Sequence, residues 1–136
     1  MRLTFGKKQR LKRRNLIDDV FVNGSKLKGF PLIGVVYPCA LPEAVPIQVA
    51  TQVSKRRFRR AVDRNRIKRL MREAWRRHKG DLEKQLSEAG TQYAAVFIFV
   101  GKEMPTLKDL DRSVVKIIGK WKAQLTLPEE GRTSKP

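Results

Sequence analysis

The chain is organised around thirteen central residues, Arg64-Asn65-Arg66-Ile67-Lys68-Arg69-Leu70-Met71-Arg72-Glu73-Ala74-Trp75-Arg76. In a helix each side chain is turned by about 100° from the one before, so residues three and four positions apart share a face. This spacing places five apolar residues on one stripe: Ile67, Leu70, Met71, Ala74 and Trp75. The opposite arc carries Asn65, Lys68, Arg69, Arg72 and Arg76. The stretch therefore predicts an amphipathic helix with one face for packing and one face for anions.

The polar arc favours a nucleic acid over a membrane surface, because arginine forks bind phosphates and asparagine amides bind base or ribose edges. A wider basic region surrounds it, since residues 55–79 contain 13 Lys and Arg against only Asp63 and Glu73. The first fourteen residues add seven cations and no acid, and the 136-residue chain has a net charge of +18. Such a chain needs a polyanionic partner, whereas a solvated charged face would mix both signs.

The remaining composition limits the function classes. A chain of 136 residues with 40% hydrophobic content forms one domain with a modest core. Cys39 and His78 are the sole cysteine and histidine, so we expect no disulfide within the chain, no metal site and no catalytic residues. The longest apolar run, residues 93–100, is too short to span a bilayer, and the N-terminus is charged where a signal peptide is apolar. We expect a cytoplasmic protein with no membrane partner and no small-molecule substrate.

Hydrophobic periodicity and turn residues predict the elements around the central helix. Before it, we expect one helix followed by three strands, over residues 16–21, 26–28, 32–37 and 47–54. After it, we expect a short helix closed by Gly90, a strand over residues 93–100 that is covered on both faces, and a last helix. Two positions are left open: the central helix is capped by Asp63 or begins near Arg60, and the last helix is capped by Thr106 or Asp109.

This order of elements predicts the α+β class, as a single two-layer α/β sandwich. We expect residues 1–14 to form a basic arm that is mobile until it meets its partner, residues 15–125 to form the single RNA-binding domain, and residues 126–136 to form a disordered tail. Trp75 and Trp121 each complete an apolar stripe at helical spacing, so both are interpreted as core residues.

The strand over residues 47–54 has two faces of different character. Ile47, Val49 and Val53 alternate on the side expected to face a core. The other side carries small or polar residues: Gln48, Ala50, Gln52 and Ser54. This second side suits a surface that another molecule approaches closely.

The run from Ala61 to Ala74, preceded by Val53-Ser54-Lys55, resembles the signature of the bacterial ribonuclease P protein subunit. The similarity covers about residues 11–121 and includes the Val20-Phe21 pair followed by Gly24. The resemblance implies a protein cofactor of a ribozyme that removes the 5′ leader from precursor tRNA. It also implies a left-handed crossover around the long helix, an exception to the usual handedness. The implied partners are the catalytic RNA subunit and precursor tRNA. Magnesium would serve the holoenzyme, with no cofactor in the protein itself.

Carried over residue by residue, the resemblance assigns two RNA surfaces. The residues that would contact the catalytic RNA are Arg64, Asn65, Arg66, Lys68, Arg69, Arg72 and Arg76, next to a basic turn of Lys55, Arg56, Arg57, Arg59 and Arg60. The residues that would border the leader cleft are Ile17, Phe21, Gln48, Ala50, Gln52, Ser54, Lys55 and Phe58. The position of Ile17 is commonly aromatic in the family, and the turn is longer here and lacks the family's glycine. Phe21 and Phe58 are therefore the available stacking residues.

Three other function classes are compatible with the high positive charge of the chain but do not explain its other features. A ribosomal or other structural RNA-binding protein would not require the small, polar strand face. A helix-turn-helix DNA-binding protein would need a short helix and turn immediately before the long helix. A self-sufficient nuclease would need clustered carboxylates for metal ions.

Overall fold

A sheet of four strands forms the centre of the computed structural model, which describes residues 6–125. The strands are β1 (Ser25–Gly29), β2 (Leu32–Pro38), β3 (Ile47–Val53) and β4 (Tyr93–Phe99), in the spatial order β1-β2-β4-β3. β2 is antiparallel to both β1 and β4, whereas β3 and β4 are parallel. These strands confirm the predicted ones, including the short edge strand β1.

Four α-helices complete the architecture: α1 (Arg14–Asn23), α2 (Ala61–His78), α3 (Gly80–Ala89) and α4 (Leu107–Leu125). α2 and α3 connect β3 to β4, because a parallel pair requires a crossover that returns the chain to the same end of the sheet. The class is α+β, as predicted, and the crossover is the expected strand–helix–strand unit. The left-handed sense of this crossover connection stays a prediction.

The main core lies between the sheet and the pair α2 and α4. Trp75 of α2 and Trp121 of α4 are both buried and stack with their ring centroids 6.1 Å apart. Trp75 also meets the ring of Phe97 on β4 edge-on, at 5.1 Å. The apolar stripes of the two helices thus pack against one face of the sheet. Both tryptophans are confirmed as core residues.

A smaller core lies on the other face of the sheet, under α1. Val20 of α1 is fully buried there with Val35 of β2 and Val96 of β4. β4 is therefore covered from both sides, which explains why its sequence is apolar throughout. α1 packs mainly on β2 and β4 and leaves much of β3 uncovered on this face.

The helix ends follow from local hydrogen bonds. The N–H groups of Asp63 and Arg64 both donate to the carbonyl oxygen of Arg60, so α2 begins at Ala61 and the prediction of Asp63 as its cap is wrong. α3 ends at Gly90, whose φ of 68° is readily adopted by a residue without a Cβ. At α4, Thr106 and Asp109 exchange side-chain to backbone hydrogen bonds, so both predicted caps act together.

The N-terminal segment differs from the prediction of a separate mobile arm. Residues 7–9 form a short 3₁₀-helix, and Arg10 then bridges Val49 of β3 in parallel. Leu11 is buried, and its N–H donates to the carbonyl oxygen of Val49 at 3.0 Å. The free edge of β3 offers unpaired backbone groups, and this segment takes some of them. Arg10 and Leu11 thus attach this segment to the edge of β3, whereas the domain boundary after residue 14 stays a prediction.

The rest of the predicted arm, residues 1–5, and the predicted tail, residues 126–136, lie outside the described residues. No helix within residues 6–125 combines the length and apolar character that crossing a membrane requires.

Candidate nucleic-acid interface

The N-terminal two thirds of α2 present several cations that are not paired with any acid of residues 6–125. Among residues 6–125, no carboxylate lies within 4.0 Å of the charged groups of Arg66, Lys68, Arg69 or Arg72. Asn65, Arg66 and Arg69 are exposed, and Lys68 and Arg72 are half-buried. The helix periodicity that buries Ile67 and Met71 forces these polar side chains outward. We call this surface the α2 cationic face, formed by Asn65, Arg66, Lys68, Arg69 and Arg72.

Arg64 has a different role from its neighbours. Its Nη1 donates to the carbonyl oxygens of Phe58 and Arg59, at 2.8 Å each. The side chain therefore ties the first turn of α2 to the segment before it. The sequence analysis assigned Arg64 only to RNA contact and missed this structural role.

The basic turn is held in shape from within. The Ser54 hydroxyl accepts from the N–H groups of Arg56 and Arg57, and Arg57 donates a guanidinium hydrogen bond to the Val100 carbonyl oxygen. The five cations of the turn are all exposed: Lys55, Arg56, Arg57, Arg59 and Arg60. A fixed backbone that displays five cations beside the α2 cationic face extends the anion-binding surface.

The C-terminal end of α2 is paired with acids. Arg76 bonds both carboxylate oxygens of Glu73, at 2.9 and 2.6 Å, and this hydrogen bonding lowers the pKa of Glu73 below its ordinary value. Arg77 and His78 both contact Asp111 of α4, at 3.5 and 3.0 Å. Lys79, at the end of α2, is buried against Glu83 at 2.9 Å. Arg76 was predicted to contact RNA, but its charge is already neutralised locally.

The docked N-terminal segment adds a cation that the sequence analysis did not single out. Burial lowers the pKa of the Arg72 guanidinium, and the nearby like charges of Arg10 and Arg69 lower it further. Three guanidinium groups thus converge where the segment crosses the edge of β3. Neighbouring like charges of this kind favour the binding of an anion, which would relieve their repulsion. The basic composition of the segment was visible in the sequence, but its position was not.

The predicted leader cleft is partly assembled on the α1 side of the sheet. Ala50 is half-buried and Gln52 is exposed on the uncovered face of β3, and Gln52 is level with the half-buried Ile98 of β4. On α1, one turn apart, Ile17 is half-buried and Phe21 is 42% exposed. Ile17, Ala50 and Ile98 pack against the smaller core, and Phe21 and Gln52 are exposed on the same side of the sheet. We call the surface of these five residues the α1 cleft.

Three residues predicted to border this cleft are covered or have another structural role. Gln48 is buried, and its side-chain amide donates to the carbonyl oxygen of Lys8 at 2.9 Å, because the N-terminal segment covers it. Phe58 packs on Phe99 in the main core, with ring centroids 5.8 Å apart, on the opposite side of the sheet. Ser54 is exposed but organises the basic turn. Phe21 is therefore the aromatic residue among the five residues of the α1 cleft.

The acidic residues do not gather into a metal site. Within the part of the chain that the structure describes, no three His, Cys, Asp or Glu side chains are placed to hold one ion. Asp109 serves the cap of α4, where the Thr106 N–H lowers the pKa of its carboxyl group. Asp111 joins α2 to α4.

Comparison with known sequences identifies the family. The family model described as Ribonuclease P matches residues 5–122. A ribonuclease P protein component from Porphyromonas gingivalis is 39% identical over 116 residues, which cover 83% of this chain and 84% of that protein. The corresponding protein from Chlorobium phaeobacteroides is 30% identical over 119 residues, or 79% and 81% of the two chains.

Two solved structures have the same fold. The Staphylococcus aureus RNase P protein superposes with a TM-score of 0.62 at 19% identity, covering 85% of this chain and 97% of that one. The Thermotoga maritima RNase P protein gives a TM-score of 0.62 at 20% identity, covering 84% and 96%. Since the family model spans most of the chain and the relatives match it over most of their length, the chain belongs to the family of ribonuclease P protein components, which are parts of an endoribonuclease holoenzyme.

Proposed function

We propose that this chain binds the RNA subunit of ribonuclease P through the α2 cationic face and the basic turn. The observation that carries the proposal is the division of α2 by charge pairing. No acid in the described part of the chain pairs with the cations of the α2 cationic face, whereas the cations near the end of the helix are paired with acids. Phosphates of a folded RNA neutralise such a face and release its counterions. A solvated helix surface would show paired charges along its whole length.

The second part of the proposal concerns the substrate. The α1 cleft binds the single-stranded 5′ leader of precursor tRNA, with Phe21 as the stacking side chain and Lys55 of the basic turn as a nearby cation. An extended single strand needs an aromatic ring on which a base can stack and a cation for its phosphates, and Phe21 and Lys55 are both exposed. Mature tRNA lacks this segment, so the cleft discriminates precursor from product.

Cleavage itself belongs to the RNA subunit. The acids of residues 6–125 form no cluster that fits magnesium, and in this proposal the RNA subunit holds the metal. The protein acts by neutralising phosphates and by holding the leader. Both effects lower the magnesium concentration that the RNA needs for cleavage. The protein's cations replace part of the magnesium that screens the repulsion between phosphates.

The deciding experiment is cleavage of precursor tRNA by a cognate catalytic RNA, at a magnesium concentration too low for the RNA alone, with and without this protein. We expect cleavage at the 5′ boundary of the mature tRNA only when the protein is present. The catalytic RNA alone at high magnesium is the control for an active ribozyme. Tight binding to the RNA without any stimulation would instead indicate a structural RNA-binding protein.

A further inference from the structure

A second concave surface lies at the end of the sheet, on the α2 and α4 side and so opposite the α1 cleft. It has a volume of about 590 Å³, within the range of small-ligand sites. Phe30, Phe99 and Met104 supply apolar walls, and Arg57, Lys102 and Arg112 supply cations. We call it the end pocket. The predicted RNA surfaces do not include it, apart from Arg57 of the basic turn.

Phe30 is the unusual residue of the end pocket. Its side chain is 76% exposed, although the backbone around it is fixed. The Ser113 hydroxyl donates to the Phe30 carbonyl oxygen at 2.9 Å, and the Val100 N–H donates to the Pro31 carbonyl oxygen at 2.8 Å. An exposed aromatic ring on an anchored backbone adds little to the core, yet it presents a flat surface on which a base can stack.

The charges of the end pocket favour an anion beside that ring. Three cations face two acids, Glu103 and Asp109, and the Asp109 carboxylate already accepts from the Thr106 N–H. Within the described residues, no carboxylate lies within 4.0 Å of the charged groups of Lys102 or Arg112. An apolar pocket with an aromatic wall and more cations than acids suits a nucleotide, whose base is flat and whose phosphate is charged.

We propose that the end pocket binds one unpaired nucleotide of the RNA subunit, with its base against Phe30 and its phosphate at Lys102 and Arg112. This inference rests on the proposed function. The RNA subunit is the source because Arg57 belongs to both the basic turn and the pocket, so the two surfaces are continuous. A leader held in the α1 cleft lies on the other face of the sheet.

The test measures the affinity of the full-length protein for the cognate RNA subunit as a function of salt. Phe30→Ala should weaken binding by about five- to a hundredfold without changing the slope of log affinity against log salt, because stacking is lost but no charge is. Phe30→Trp should retain the affinity, since any aromatic ring can stack. Arg112→Ala should lower the slope by roughly one unit. Val115→Ala, an exposed apolar residue of α4 outside the pocket, is the matched control and should change neither quantity.

Two results would overturn the inference. Wild-type affinity in both Phe30→Ala and Arg112→Ala would show that no nucleotide occupies the pocket, and loss of affinity in Phe30→Trp equal to that in Phe30→Ala would show that the ring only packs. Failure of the proposed function looks different. In that case Arg66→Ala and Arg69→Ala would also leave RNA affinity unchanged. If those two variants lose affinity and the pocket variants do not, the α2 cationic face stands and the end pocket alone is rejected.

Discussion

The three arginines Arg64, Arg69 and Arg76 of one helix have the same side chain and different chemical roles. Arg64 donates to two carbonyl oxygens of the preceding turn, and Arg76 forms a bidentate pair with Glu73. Arg69 is exposed and adds its like charge to that of Arg72. A guanidinium with existing partners gains less from a phosphate than one without them, because binding must break or share those bonds. Partners rather than residue type therefore rank these candidates for RNA contact.

The first prediction follows from this ranking. Arg66→Ala and Arg69→Ala should each lower the slope of log RNA affinity against log salt by roughly one unit, because each loses one phosphate contact. Arg77→Ala removes the same charge from the same helix, but Arg77 is paired with Asp111 at 3.5 Å. The salt slope of Arg77→Ala should therefore change much less than that of the other two variants. Titrations of the RNA subunit at several salt concentrations measure all three variants, and equal changes in all three would mean that pairing does not decide which cations bind.

Among the elements, those with strong periodicity were predicted correctly from the sequence. α2 and α4 carry apolar stripes that include the buried Trp75 and Trp121. β4 is apolar on both faces because helices cover both faces. The sequence was compatible with two starts for α2, near Arg60 or after a cap at Asp63, because Asp63 is a good capping residue in isolation. The carbonyl oxygen of Arg60 accepts the first helical N–H groups instead, which places Asp63 within the first turn.

The cleft shows what periodicity does not determine. Alternation assigned Gln48, Ala50 and Gln52 correctly to one face of β3, but it does not reveal what covers that face. The N-terminal segment covers Gln48, and nothing in its basic composition predicts a bridge to Val49. Phe58 was assigned to the cleft as an aromatic side chain that could stack in place of Ile17, yet its ring packs on Phe99 on the opposite side. Both errors concern contacts between residues far apart in the sequence.

At the scale of one helix, the reciprocal cap of α4 gives the second prediction. Thr106→Ala removes the oxygen that accepts from the Asp109 N–H at 3.1 Å, so the free energy of unfolding should fall by about 1 kcal/mol at pH 7. Thr106→Ser keeps an acceptor and should lose much less. Urea denaturation measures both variants. Identical stability of Thr106→Ala and wild type would show that the cap contributes nothing.

The same cap predicts a pH dependence. The Thr106 N–H lowers the folded-state pKa of Asp109 below the ordinary value of 3.8. A depressed pKa stabilises the fold fully above the ordinary value, and this stabilisation is lost as the pH falls through the lowered folded value. The stability advantage of wild type over Asp109→Asn should therefore shrink as the pH drops below about 4. Denaturation at pH 7 and at pH 3 measures this advantage, and a constant difference would contradict the assignment.

At the scale of the whole molecule, the sheet separates two surfaces that face different ligands in the proposed function. The α2 cationic face and the end pocket lie on the side of α2 and α4, and the α1 cleft lies on the other side. The net charge of +18 attracts any RNA to both sides, so charge alone gives no discrimination between precursor and mature tRNA. In the proposed function, discrimination comes from a contact that only the leader makes, and the ring of Phe21 in the α1 cleft is the proposed contact.

Phe21→Ala tests this separation, because it removes the ring without changing the charge of the molecule. The assembled holoenzyme should bind precursor tRNA more weakly, by about 1–3 kcal/mol for one lost stacking contact, and should bind mature tRNA as before. Assembly with the RNA subunit should also be unaffected, since the α2 cationic face is intact. Val22→Ala is the matched control, because Val22 is the next residue of α1 and is 79% exposed. The measurement is the ratio of precursor to mature tRNA affinity for each holoenzyme. An unchanged ratio in Phe21→Ala would reject the α1 cleft as the leader site while leaving the RNA-subunit surface untouched.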